Sequence, residues 1–312
     1  MEVLEEMKKK GCKKIFLQFA EGLTIRIEKI VKELEMNGFS VVLCMEPTFG
    51  PCDLREDEAK KLGCDCILHI GHLNYFKLKT KIPVYFWEFE IEVKDFESYF
   101  KKFAGKIDCK KIGIVASLQF LKLIGKAKKI LEEMGKKVFI GSFCDKKGLI
   151  TGCNFKAAKE IEDLVDCFLV ISAGNFHALG LALETDKKVL LFDVEKRKLI
   201  DIEVIKKKFE KLRAWNLCSF KEAKKIGLII CWKKGQLFKE YEKLASYLRK
   251  MGKDVIILAM DEIKPEKLEG LRLDFLINTA CPRIGIDDVK RFKVPIVNLK
   301  DLHKEGYLPT SF

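Results

Sequence analysis

The same succession of apolar and polar runs recurs three times along the chain. A lysine pair leads into an apolar run of strand length in CKKIFLQFAEG from residue 12, CKKIGIVASLQ from 109 and AKKIGLIICWKKGQ from 223. The starts lie about a hundred residues apart, the period of a repeated structural unit. An amphipathic stretch then ends at glycine in each unit: EKIVKELEMNG at Gly38, KAKKILEEMG at Gly135 and EKLASYLRKMG at Gly252. Their apolar positions recur at helical spacing, and glycine takes the left-handed conformation that stops a helix. A second apolar run follows each glycine, in FSVVLCM at 39–45, KKVFIGSF at 136–143 and KDVIILAM at 253–260. Third runs stand in CDCILHIGH, VDCFLVISAGNFH and LDFLINTACPR, and fourth runs in IPVYFW at 82–87, KKVLLFDV at 187–194 and VPIVNL at 294–299.

Nearly continuous apolar strands alternating with helices predict parallel sheets covered on both faces. The expected class is α/β, with three tandem small βαβ-type domains over 1–106, 107–216 and 217–312. Parallel units of this kind bind ligands beyond the carboxyl ends of their strands. If the three pack about a pseudo-threefold axis with those ends facing inward, their loops meet at a central site.

The chain has 312 residues, 48% hydrophobic and 34% charged, with seven prolines, which suits a folded protein with real cores. Its longest apolar stretches, CILHIGHL at 66–73 and LIICW at 228–232, fall far short of the ~18–20 residues of a membrane span. The opening MEVLEEMKKKGCKK lacks the apolar segment of a signal peptide, so a cytoplasmic location is expected. Net charge is +13, from 59 Lys and Arg against 46 Asp and Glu. Runs such as the lysines at 8–10 and 206–208 read as solvated helix faces, and no nucleic-acid module accompanies them. A basic surface favours an acidic partner, and heavy Lys and Glu use is also a thermophile composition.

Charge alone names no chemistry, but the twelve cysteines do. In a reducing cytosol they are expected to be thiols or metal ligands. No CxxC occurs, the nearest pair being Cys64 and Cys66, so a metal centre would draw on ligands distant in sequence. Cys12, Cys64, Cys66, Cys109 and Cys167 precede or enter strands, where cysteine is a small core residue, and Cys218 falls in a linker or helix. Cys44, Cys52, Cys144, Cys153, Cys231 and Cys281 lie at or past strand ends. Of these, Cys52 in FGPCDL, Cys153 in ITGCNF and Cys281 in TACPRIG stand in loops beside Gly or Pro, one per repeat. Three thiolates suit a 4Fe-4S cluster with one open iron, or zinc with an open position, and spacing does not separate the two. Arg283, two residues past Cys281, is placed to supply a cation or hold a carboxylate.

With these residues in hand, FGPCDLREDEAKKLGCDCILHIGHL at 49–73, ITGCNFKAA at 150–158 and INTACPRIGIDD at 277–288 resemble the three cysteine signatures of the diphthamide synthase family. QFAEGL at 18–23, SAGNFHALGL at 172–181 and KKGQ at 233–236 extend the resemblance over nearly the whole chain. It implies a 4Fe-4S cluster on Cys52, Cys153 and Cys281 with S-adenosylmethionine against the open iron. It also implies transfer of the 3-amino-3-carboxypropyl group to a histidine of translation elongation factor 2, the first step of diphthamide biosynthesis, releasing methylthioadenosine. An electron donor and an archaeal-type homodimer belong to the same expectation. Gln18, Glu21, Gly22, His72, Asn175, His177, Gln236 and Arg283 are then the expected walls of the S-adenosylmethionine pocket, with His69 a core histidine. Two alternatives stand beside this one: quinolinate synthase, which resembles the same three-repeat, three-cysteine architecture, and an accessory subunit that holds a cluster for another catalyst.

Overall fold

In the computed structural model, which describes residues 2–76 and 78–311, each lysine pair opens a strand and each predicted strand is present. Packing divides the chain into two compact units, one reaching to Glu92 and including Lys233–Gly235, the other made of Val93–Trp232 and the chain from Gln236 onward.

The first unit runs α1 (Glu2–Lys9), β1 (Lys14–Phe19), α2 (Thr24–Met36), β2 (Ser40–Leu43), α3 (Glu56–Lys61), β3 (Cys66–Ile70) and β4 (Val84–Trp87). Its sheet has the order β2-β1-β3-β4, all parallel, with Leu17 in register with Leu43 and Leu68. Ile15, Leu17, Leu34, Cys66 and Leu68 are fully buried in its core.

The second unit opens with α4 (Phe96–Ala104), β5 (Lys111–Ala116), α5 (Lys122–Glu133) and β6 (Lys137–Phe139). A small hairpin, β7 (Ser142–Phe143) and β8 (Lys146–Lys147), leads to α6 (Lys156–Lys159), β9 (Cys167–Ser172), α7 (Phe176–Glu184), β10 (Lys188–Asp193) and β11 (Lys198–Asp201). The long α8 (Glu203–Glu222) then enters β12 (Lys225–Cys231), α9 (Tyr241–Lys250), β13 (Asp254–Met260), β14 (Phe275–Asn278), β15 (Ile296–Asn298) and α10 (Leu299–Lys304). Besides the β7–β8 hairpin, its two larger sheets have the orders β6-β5-β9-β10-β11 and β13-β12-β14-β15. Apart from antiparallel β11, both repeat the parallel order of the first sheet. One core joins them, shared by Val170, Leu191, Ile229, Leu276 and Ile296. The α8 helix ties in through Asn216, whose Nδ2 donates to the Ile296 carbonyl at 3.0 Å, and Arg213, 3.1 Å from Asp301.

The lysine pairs matter through their backbone. An aspartate just before the third strand of each repeat accepts from both lysine N–H groups: Asp65 from Lys13 and Lys14 at 2.9 and 2.7 Å, Asp166 from Lys110 and Lys111 at 3.2 and 2.8 Å, Asp274 from Lys224 and Lys225 at 3.0 and 2.8 Å. Each aspartate N–H donates back to the second lysine's carbonyl at 2.8 Å. These backbone donors hold the carboxyls of Asp65 and Asp274 below their usual range. Gly38, Gly135 and Gly252 all have positive φ, as helix stops require.

Three features depart from the sequence expectation. KKVFIGSF breaks after Phe139, and the chain then passes α6 so closely at Gly141 that a Cβ there would sit 2.1 Å from the Ala157 carbonyl oxygen. Beyond Asp193 the chain turns back as β11 through Arg197 at φ 53°. Cys109 and Cys167 are not thiols: they form a disulfide with Cα atoms 6.2 Å apart, tying the entry of β5 to the start of β9. Compartment redox was the basis for expecting thiols, and it carries no information about which side chains the strands bring face to face.

Candidate functional site

In the first unit Cys52 stands half-buried in the loop between β2 and α3. The loop is wired from beneath by Gln18, the penultimate residue of β1, which is fully buried. Its Nε2 donates to the Asp53 carbonyl at 3.1 Å and to Thr48 Oγ1 at 3.4 Å, and its Oε1 accepts from the Arg55 N–H at 3.1 Å. Asp53 meets Lys233 Nζ at 2.7 Å, both nearly inaccessible, and Lys234 reaches Glu56 at 2.7 Å. Lys233 also lies 5.1 Å from the centre of the Phe49 ring. Burial pushes the Asp53 carboxyl up while the Lys233 charge pulls it down. Gly235 passes so close that a Cβ there would lie 2.3 Å from the Cys52 Cβ, and its N–H donates to the Cys52 carbonyl at 3.3 Å.

In the second unit Cys153 is exposed, with Thr151 Oγ1 3.7 Å from its sulfur. Beside it Gly152 leaves room for the Phe176 ring, which a Cβ would meet at 1.9 Å. Arg283 covers the same ring at 4.4 Å, so the loops of Cys153 and Cys281 both pack on the first residue of α7. Cys281, half-buried, is held by an amide pair at the ends of β14 and β15. Asn278 Nδ2 donates to the Cys281 carbonyl at 2.9 Å and to Asn298 Oδ1 at 2.6 Å, while Asn298 Nδ2 donates to the Pro282 carbonyl at 3.1 Å. Gly285 is required there, since a Cβ would stand 2.5 Å from Asn298 Oδ1. A cavity of about 270 Å³ opens beside these loops, its lining including Cys153, Phe155, Arg213, Pro282, Asn298 and Lys300.

The residues expected to line a pocket are distributed differently. Gln18, with no exposed surface, clamps the Cys52 loop instead of facing a ligand. Glu21 and Gly22 are exposed on the turn after β1, and Gln236 is half-buried after Gly235. His72 is half-buried, its Nδ1 2.8 Å from Nε2 of fully buried His69. Burial pushes His72 down to about 4, so it is neutral at ordinary pH. His69 is a core histidine on Phe86, as expected, but its Nδ1 has no hydrogen-bond partner. His177 and Arg283 do come together around Phe176, and Asn175 directly precedes that residue at the start of α7. Burial, helped by the Arg283 charge, pushes His177 down to about 4. Asn175 Oδ1 and His177 Nδ1 are buried without hydrogen-bond partners. Arg283 already grips a carboxylate, with Nε and Nη2 each 3.1 Å from Asp287 Oδ2.

Other strand-end cysteines drop out. Cys44 and Cys231 are buried, and Cys144 shares with Asp145 the positive-φ turn of the β7–β8 hairpin. Lys233, Asp53, Asn278, Asn298 and Phe176 went unremarked in the sequence. The one signal available was a polar residue closing an apolar strand, as Asn does in FLIN and IVN. Among the described residues no group of three His, Cys, Asp or Glu side chains is gathered as a ready metal cage.

Comparison with known proteins places this arrangement. Residues 19–303, which include all three cysteine loops, match the family model described as "Putative diphthamide synthesis protein". The 2-(3-amino-3-carboxypropyl)histidine synthase of Pyrococcus horikoshii is 33% identical over 309 residues, spanning 96% of this chain and 88% of that protein. The protein of the same name from Methanocaldococcus jannaschii is 27% identical over 99% of this chain and 88% of its own length. The crystal structure of Dph2 from Pyrococcus horikoshii with a 4Fe-4S cluster superposes with a TM-score of 0.86 at 32% identity, covering 100% of this chain and 91% of that one. The chain belongs to the diphthamide-synthesis family.

Proposed function

We propose that this protein is a 2-(3-amino-3-carboxypropyl)histidine synthase that uses a 4Fe-4S cluster and S-adenosylmethionine to modify a histidine of translation elongation factor 2. The observation that carries it is that each of three loop cysteines is fixed by its own device: the buried Gln18 and Asp53–Lys233 under Cys52, Gly152 against Phe176 beside Cys153, and the Asn278–Asn298 pair under Cys281. Such loops hold thiolate donors in place, and three thiolates are the donor set of a cluster with one open iron, so the residues fit a cluster. The like order of the three sheets supports reading them as three repeated domains, 1–106, 107–216 and 217–312.

When bound, a reduced cluster supplies the electron that opens the bond from the sulfonium sulfur to the γ-carbon. Methylthioadenosine would depart with that cleavage, the γ-carbon radical would add to carbon 2 of the target imidazole, and carbon 2 would then give up its hydrogen as a proton and one electron, so that the electron supplied is recovered and the transfer is redox-neutral overall. The chain's own residues select the bond by orientation: the unpartnered Asn175 Oδ1 and His177 Nδ1 offer polar contacts, and neutral His72 and His177 add no positive charge against a sulfonium. Arg283 would meet the amino-acid carboxylate by exchanging its grip on Asp287, whose carboxyl is pushed up by burial. No helix among the described residues is long and apolar enough to cross a membrane, and a cytoplasmic homodimer served by an external electron donor is part of the proposal.

The test is anaerobic reconstitution followed by assay with S-adenosylmethionine and elongation factor 2. Wild-type chain alone should yield methylthioadenosine and a modified histidine. Cys52→Ala, Cys153→Ala and Cys281→Ala should each lose iron and activity, while Cys44→Ala keeps both. Inactivity of a fully loaded chain until a second protein is added would instead favour the accessory-subunit reading, and full iron content in Cys281→Ala would remove the cluster assignment.

A further inference from the structure

The cysteines outside the site fall on repeated positions. Cys109 stands three residues before Ile112, which pairs with Cys167 across β5 and β9. Cys12 stands three residues before Ile15, which pairs with Cys66 across β1 and β3. In both repeats the aspartate clasp pins this juncture, Asp65 just before Cys66 and Asp166 just before Cys167, with the same two accepted bonds and the same returned one. The third repeat has the register without the sulfur: Ala223 precedes Ile226, which pairs with Phe275, and the Phe275 ring packs on Phe220 at 5.4 Å. Two of three equivalent junctures therefore carry a cysteine pair, and one of those is closed.

We propose that Cys12 and Cys66 form a second disulfide, equivalent to Cys109–Cys167. Both are buried in one apolar core with Ile15, Leu68 and Tyr85, and Cys12 Sγ lies 3.8 Å from the Tyr85 hydroxyl. The Cys66 thiol is pushed up by burial and then by its neighbour Cys12, and Tyr85 by burial and then by the same thiol. Closure is a thiol–disulfide exchange. The Cys12 thiolate, the less buried of the two at 8% against 0% exposure, attacks a small-molecule or protein disulfide and expels one of its sulfurs as thiolate. Cys66, deprotonated, then displaces the second sulfur, so that two protein thiols lose two electrons and two protons and the oxidant becomes two thiols. The bond would staple the entry of β1 to the start of β3, at the strand ends opposite the Cys52 loop. It therefore stiffens the sheet while leaving a reduced thiolate for the site.

The full chain is equilibrated in glutathione buffers of graded oxidised-to-reduced ratio, quenched and alkylated under denaturing conditions with N-ethylmaleimide, digested and analysed by mass spectrometry. As the ratio rises, the alkylated peptides of Cys12 and Cys66 should disappear together and one linked peptide pair should replace them. Alkylation of both residues at the most oxidising ratio would overturn the proposal, whatever Cys109 and Cys167 do, and so would a link from either to Cys64. Cys12→Ala should leave Cys66 alkylated throughout and lower the thermal midpoint of the oxidised protein but not of the reduced one. An equal lowering in both states would mean that Cys12 serves only as core packing.

Discussion

Lys233 illustrates what one residue can decide. Its ammonium meets Asp53 at 2.7 Å where neither side chain has more than 5% exposure, beside a cysteine proposed as a ligand. Removing one partner of such a pair strands the other charge in a low-polarity setting, typically at about 3–5 kcal/mol. Lys233→Met should lower stability to urea by that order and loosen the Cys52 loop, and a Lys233→Met/Asp53→Leu double variant should recover most of it. The pH dependence has a definite sign. Burial raises the folded Asp53 carboxyl, and losing the opposing lysine raises it further, so its protonated form is favoured in the fold. The variant should therefore be least impaired below the ordinary carboxylate range and lose stability as pH rises through the raised value. A variant whose deficit is unchanged from acid to neutral pH would show that the carboxylate is not the cause.

At the scale of elements, the aspartate clasp fixes where the first strand of each repeat begins: two consecutive backbone N–H groups at a strand's start need an acceptor, and the carboxylate before the third strand supplies it. The interaction is solvent-exposed, so its worth is about 1 kcal/mol, as for a helix cap. Asp65→Ala and Asp274→Ala should each cost that much at neutral pH. Both carboxyls are depressed in the folded state, so their contribution is complete above the ordinary carboxylate range and is lost as pH falls through the depressed values. Thermal unfolding of wild type and variants should accordingly converge as pH drops below about 4. A constant gap down to pH ~2 would assign the effect to geometry instead of charge. Strand positions were legible in the chain because a buried parallel strand is apolar at nearly every residue. The hairpin at Cys144–Asp145 and the return of β11 were not, because positive φ at Cys144 and Arg197 falls on residues that do not ordinarily announce it, and Asp145 has no glycine beside it to complete the usual turn signal.

For the whole molecule, the excess of 59 basic over 46 acidic residues is a statement about encounter. On the proposed reading, long-range attraction to an acidic protein substrate would speed association, and it would be screened over a Debye length of about 10 Å at 0.1 M salt. The proposed modification of elongation factor 2, at limiting concentration, should slow several-fold between about 0.05 and about 0.3 M salt, while the proposed cleavage of S-adenosylmethionine without the factor should change little. A flat salt profile for both would leave the lysines to thermal adaptation or solubility.

The linear order of residues was enough to establish repeat number, the strands of each sheet, the glycine stops and the three loop cysteines, because these depend on local periodicity and on which residues sit past strand ends. It was not enough to establish what each polar strand-end residue does. Gln18 and Asn278 look alike as isolated polar residues in apolar runs, and only packing shows that both turn inward to hold a cysteine loop. The Asp53–Lys233 pair, the meeting of Gly152, Phe176 and Arg283, and the Cys109–Cys167 bond join residues 180, 131 at the widest span, and 58 positions apart respectively. Contacts at such separations are set by how strands stack and loops cross, which no local pattern encodes.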